Sequence, residues 1–191
     1  MLGYMQPITG TACRSRSADA ATTRFAQRLF GAETKSRIII VPRLEQAALA
    51  LPGGIIVVDA AVLQRADDPA AAAGFILASR AAIIHMDPLE ELLRAAGLST
   101  TFRLLTTGSI PEAILNENAQ NLVTAQAPEP SADSLRDMLA AAQIPQGPYR
   151  AASDRRNGNT PDLGEDAMEG QTVPLILNDS DWVTLRNTCN R

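Results

Sequence analysis

Between Ser17 and Gly31 apolar residues recur at helical spacing, with Ala21, Phe25 and Leu29 on one face. The pattern predicts an amphipathic helix over 17–31, capped by Ser17 or Asp19 and stopped by Gly31. From Arg37 the period changes. Arg37-Ile38-Ile39-Ile40-Val41 is a β-branched run that predicts a buried strand ended by Pro42. Ala47 to Leu51 predicts a short second strand and Pro52-Gly53-Gly54 a turn. Ile55-Ile56-Val57-Val58 predicts a third strand.

Asp59 is placed to cap a short helix running through Arg65. Asp67-Asp68-Pro69 sets acid ahead of a proline at the first helical position, which predicts a helix start. The stretch from Pro69 to His85 is apolar nearly all round, the mark of a central, buried helix. Asp87-Pro88 opens a further helix, Leu89 to Ala96, stopped by Gly97, and helices are expected over 99–106, 111–124 and 131–143. Residues 151–172 carry few large apolar groups and read as a long surface loop. Val173 to Leu177 reads as a strand. A last helix follows, capped by Asn178 or Asp179, with Trp182, Leu185 and Cys189 along one face. These elements predict one α+β domain over 1–191, in which a small sheet from 37–58 packs on a helical bundle centred on 69–85.

Composition narrows the chemistry. With 46% hydrophobic residues the chain can bury a real core, and with 4% aromatic it relies on small side chains for close packing. The formal net charge is −4, and no Lys/Arg-rich run lies beside an aromatic platform, so nothing marks a nucleic-acid interface. No apolar run reaches the roughly 18 residues of a membrane span. Met1 to Gly10 lacks a charged start followed by an apolar stretch, so no signal peptide is visible. Cys13 and Cys189 are either two separate thiols or a disulfide joining distant parts of the chain. His85 is the only histidine and Lys35 the only lysine. Any mechanism that needs two histidines in one chain is therefore excluded.

Three segments carry a likeness to a known family. They are Ala48-Leu49-Ala50-Leu51-Pro52-Gly53-Gly54-Ile55-Ile56-Val57-Val58; Asp68-Pro69-Ala70-Ala71-Ala72-Ala73-Gly74 with Asp87-Pro88-Leu89; and Leu177-Asn178-Asp179-Ser180-Asp181-Trp182-Val183-Thr184-Leu185-Arg186-Asn187-Thr188-Cys189. They resemble, respectively, the turn and edge strand, the flanks of the H-E-x-x-H helix, and a C-terminal helix of HtpX and CAAX-prenyl-protease type zinc metallopeptidases in their soluble, often periplasmic form. The likeness is strongest over 47–107 and weakest over 117–172. It implies a zincin-like fold with a former active-site helix at its centre.

The resemblance also shows what this chain lacks. Counting forward from Gly74 and backward from Asp87 gives one register, which puts the first histidine of the motif on Ala78, the glutamate on Ser79 and the second histidine on Ala82. Two histidines four apart share a helical face and grip zinc, and the glutamate is base toward the zinc-bound water. A methyl group ligates nothing and a serine hydroxyl is no base near neutral pH. The third ligand of the family would fall near Ala127-Pro128-Glu129-Pro130-Ser131, and Glu129 alone would hold zinc weakly. No catalytic residue, metal ligand or cofactor is thus expected. The resemblance further implies a Cys13–Cys189 disulfide, a periplasmic or otherwise extracytoplasmic location with an export signal or anchor upstream, and peptide binding along Ile55, Ile56, Val57 and Val58 as an edge strand; without the disulfide, the alternative location is cytoplasmic.

Other chemistry finds little footing. Ser79 and His85 lie six residues apart on one helix and point in different directions. His85 reads as a helix-end histidine favoured by the local dipole. Arg80 either snorkels to the surface or pairs with a carboxylate in the old cleft. There is no G-x-S-x-G elbow, P-loop or G-x-G-x-x-G run. The expectation is a catalytically inactive metallopeptidase homologue that binds or scaffolds a protein partner. The alternatives are an enzyme with non-zinc hydrolase chemistry in the former cleft, a peptidase with an unrecognised metal site, and a purely structural subunit.

Overall fold

The structure is a computed structural model, and it describes residues 2–51, 53–84, 119–121, 123–124, 128–158 and 160–190. The helices expected over 89–96 and 99–106, and most of that over 111–124, lie outside the described residues, as do Pro52, His85 and Ala127.

The sheet has three strands, β1 (Arg37–Val41), β2 (Ala48–Leu51) and β3 (Ile55–Asp59), in the order β1-β3-β2. β3 pairs parallel to β1 and antiparallel to β2, with Ile39 opposite Val57 and Leu49 opposite Val57 on the other side. Gly53 and Gly54 turn the β2–β3 connection at φ 78° and 76°, a region that favours glycine. Because side chains alternate across a strand, the sheet builds two separate cores. Ile38, Ile40, Ala48, Ala50, Ile56 and Val58 face one core, and Ile39, Val41, Leu49, Leu51, Ile55 and Val57 face the other. Both faces are covered, so the strands read as unbroken apolar runs rather than alternating ones.

The first core lies under α2 (Arg16–Phe30) and α4 (Pro69–Ala82). In α2, Ala21, Phe25 and Leu29 are buried as their spacing predicts, but the cap is Ser15, whose Oγ accepts the Ala18 N–H at 3.1 Å. Gly31 ends the helix at φ 92°. Asp59 caps α3 (Ala60–Arg65), and Asp68 caps α4 with Pro69 just inside it. α4 is buried nearly all round, as expected of a central helix, and stops at Ala82. The second core lies under α1 (Leu2–Thr9), an element the sequence did not announce, which contributes Met5 and Ile8.

The C-terminal third departs from expectation in two places. Residues 151–157 are not loop: they complete α6 (Gln146–Asn157), which follows α5 (Ala132–Ala141). α6 is polar on most sides, so its helical period is faint, yet Tyr149 and Ser153 bury one face against α4. Its first N–H groups are served from a distance, since the Asp166 carboxylate accepts the Gln146 N–H at 2.8 Å. Arg155 and Arg156 suit its C-terminal dipole, and Gly158 ends it in the left-handed region. Nor is Val173–Leu177 a strand. Pro174 has no N–H to offer a ladder, and the carbonyls of Pro174 and Leu175 instead accept from the Arg28 guanidinium of α2 at 3.3 and 3.2 Å. The final helix, α7 (Asp179–Asn187), is capped by Asn178 and buries Trp182 and Leu185.

Candidate functional site

α4 carries Ala78, Ser79 and Ala82. Ala78 is buried in the first core, whereas Ser79 and Ala82 are half-buried. The Ser79 hydroxyl donates to the Ile76 carbonyl of its own helix at 2.8 Å, a bond common to helical serines and one that occupies its proton. Arg80 is half-buried, and among the described residues no carboxylate pairs with it. Four residues before Ala78, and so on the same face, Gly74 supports α6. A Cβ there would collide with the Cβ and ring of Tyr149. The Tyr149 ring in turn meets Phe75 edge-on, with centroids 5.3 Å apart. Glycine and alanine thus let α6 press close to α4 along this side. Among the described residues no group of three His, Cys, Asp or Glu side chains gathers as a metal would require.

The strand expected to receive a peptide is not an edge. β3 lies between β1 and β2, and its main-chain groups are committed to both neighbours. Ile55, Ile56, Val57 and Val58 are therefore unavailable for strand addition. Their β-branched composition suits a central strand as well as an edge, so sequence alone did not separate the two. The edges of the sheet are β1 and β2.

Beside β1 runs a cavity of about 650 Å³, and none of Ala78, Ser79 or Ala82 lines it. α2 forms one wall with Ala18, Thr22 and Thr23, and α1 the other with Gly3 and Gln6. β1, with Lys35 and Ser36 just ahead of it, forms the floor as far as Val41. One end is closed where the Cys13 N–H donates to the Ile40 carbonyl at 2.9 Å. Cys13 is also bridged to Cys189, with Cα atoms 5.2 Å apart, so the closing segment is anchored covalently to the end of the chain. The sequence offered no sign of this groove beyond Lys35 and Arg37 standing at the head of an apolar run.

Two buried carboxylates lie outside the groove. Burial pushes the Asp59 carboxyl above the usual range, against the Ala61 N–H and the Arg156 guanidinium at 3.6 Å, which favour its charge. A hydrogen-bonded Arg24 guanidinium, at 2.7 Å, holds the Asp181 carboxyl below that range. Both tie elements together, Asp59 to α6 and Asp181 to α2. No protein-family model and no curated protein matches the chain.

Proposed function

We propose that this chain is a catalytically inactive homologue of the HtpX and CAAX-prenyl-protease type metallopeptidases, with a zincin-like frame, and that it works by binding a protein partner outside the cytoplasm. The observation that carries the reading is the chemistry of α4. Where the family places two ligands and a base, this helix has a buried Ala78, a half-buried Ala82 and a Ser79 hydroxyl turned back on its own backbone. Unliganded imidazoles in such a place would be polar groups needing partners, and methyl groups remove that cost. The mixed α+β architecture is compatible with the frame. The disulfide supports an oxidising compartment, where such bonds persist. Among the described residues no helix is long and apolar enough to cross a membrane.

Elemental analysis of the purified chain, together with a casein-cleavage assay with and without a chelator, tests the reading. Zinc is expected far below one per chain, and no chelator-sensitive cleavage is expected. Stoichiometric, tightly held zinc or metal-dependent proteolysis would overturn it.

A further inference from the structure

We propose that the groove beside β1 is a docking site for an extended, acidic peptide segment of a partner protein, which adds to the sheet as a fourth strand. The proposal specifies the partner in the protein-binding reading and rests on it only for the idea that a protein is bound.

The backbone supplies the first argument. The Arg37 N–H donates to the Gly54 carbonyl at 2.9 Å, which turns the main chain of Arg37, Ile39 and Val41 toward β3. Alternation then turns Ile38 and Ile40 outward, as the Cys13 bond to the Ile40 carbonyl shows independently. Ser36 also faces outward, and its N–H is taken by Thr34 Oγ1 at 3.1 Å. Four outward groups remain without a described partner: the Ser36 carbonyl, the Ile38 N–H and carbonyl, and the Ile40 N–H. They are the groups that a strand laid alongside β1 would use. Unpaired edges of this kind recruit extended peptides through main-chain hydrogen bonds.

Space and charge supply the rest. A cavity of about 650 Å³ falls within the roughly 300–1,000 Å³ of ligand sites. The five residues of β1, at about 3.3 Å each, match a short extended segment. The α2 wall offers Ala18, Thr22 and Thr23, which leaves room for small and medium side chains. At the open end stand Lys35 and Arg37, both exposed, with no carboxylate in ion-pair range among the described residues. The other charges of the lining, Arg14 and Asp19, neutralise each other at 3.1 Å. The groove is therefore net positive at the end a peptide would enter, and an acidic residue there gains what a basic one loses. Two copies joined β1 to β1 are a poorer arrangement, since each β1 lies recessed between α1 and α2 and two recessed edges do not meet.

The test uses the full chain, disulfide intact, and two labelled hexapeptide pools. Each has four alternating Val, Thr, Ser or Ala positions, preceded in one pool by Asp-Glu and in the other by Lys-Lys. Fluorescence anisotropy should show saturable binding of the acidic pool, at least tenfold tighter than the basic pool, with a gap that narrows as salt screens the charges. Lys35→Glu with Arg37→Glu should reverse the preference. N-methylation of alternate peptide amides should weaken binding tenfold or more in the register that faces β1, without touching the protein. Amide resonances of Ile38 and Ile40 should move and gain exchange protection on saturation. No saturable binding of either pool up to about 1 mM, equal binding of both, or indifference to N-methylation in both registers would overturn the proposal. So would a concentration-dependent dimer whose formation, rather than peptide, protects the Ile38 amide. The zinc measurement stays independent: a zinc-free chain that ignores both pools sinks this proposal and leaves the inactive-homologue reading standing.

Discussion

Gly74 is the residue on which the helix packing turns. Alanine is better than glycine in a helix interior by about 1 kcal/mol, so Gly74→Ala on an exposed helix would stabilise. Here the added methyl meets the Cβ of Tyr149, close to the α6 backbone, where little can yield. Overpacking of this kind costs about 1–3 kcal/mol. The variant should be less stable than the parent, seen as a lower urea midpoint at unchanged slope. An equal or higher midpoint would mean that α6 stands off from α4 further than described. Asp59 and Asp181 make a second prediction at this scale, because they have opposite signs. Asp181 has a lowered folded pKa, so its stabilisation is present above about pH 4, the unfolded carboxylate value, and is lost as pH falls through the folded value. Asp59 has a raised folded pKa, so the folded state takes up its proton first, and acidification through that raised value adds stability. Asp59→Asn keeps a capping side chain on α3 but cannot titrate. The difference in unfolding free energy between parent and variant should shift in the parent's favour on going from about pH 7 to about pH 4.5. A difference that does not vary with pH would remove Asp59 as the source.

At the scale of elements, the parts that were legible in the sequence are those whose own period fixes their surroundings. Ala21, Phe25 and Leu29 recur on one helical face and are buried. The run from Ile38 to Val41 is a strand, and Asp68-Pro69 starts a helix, because capping and φ restriction act locally. What was not legible depends on distant partners. α6 hides its period because only Gln146, Tyr149 and Ser153 of its polar run are buried, two of them polar, and its start is served by Asp166, twenty residues on. The order β1-β3-β2 is a choice among pairings that three similar apolar strands leave open, so an edge was expected where the centre lies. Even the cap of α2 slipped, to Ser15 from Ser17 or Asp19, because each can accept an amide and only packing selects among them. Of the candidate site, the want of metal-ligating side chains at Ala78, Ser79 and Ala82 of α4 could be read directly. The groove beside β1 could not, because it exists only once α1, α2 and the Cys13 segment converge.

The whole molecule is held along one side by long-range ties. Arg24 grips Asp181, Arg28 gathers the carbonyls of Ala142, Gln143, Pro174 and Leu175, and Cys13 is bonded to Cys189 across 176 residues of sequence. In the chain-entropy account, closing so long a loop removes about 4–5 kcal/mol worth of freedom from the unfolded state. Replacing both cysteines by alanine should lower the unfolding free energy by an amount of that order, read from urea titrations of parent and variant. A loss below about 1 kcal/mol would mean that residual structure already restrains the unfolded ensemble or that the bond is strained in place. The bond has a second effect that is not energetic. With Cys13 joined to Cys189, the covalent skeleton is a ring rather than a line. A single break in the polypeptide anywhere between them opens the ring without creating two molecules. The halves remain one body, their reassembly is unimolecular and independent of dilution, and a nicked copy can keep its shape until a reductant separates it into pieces.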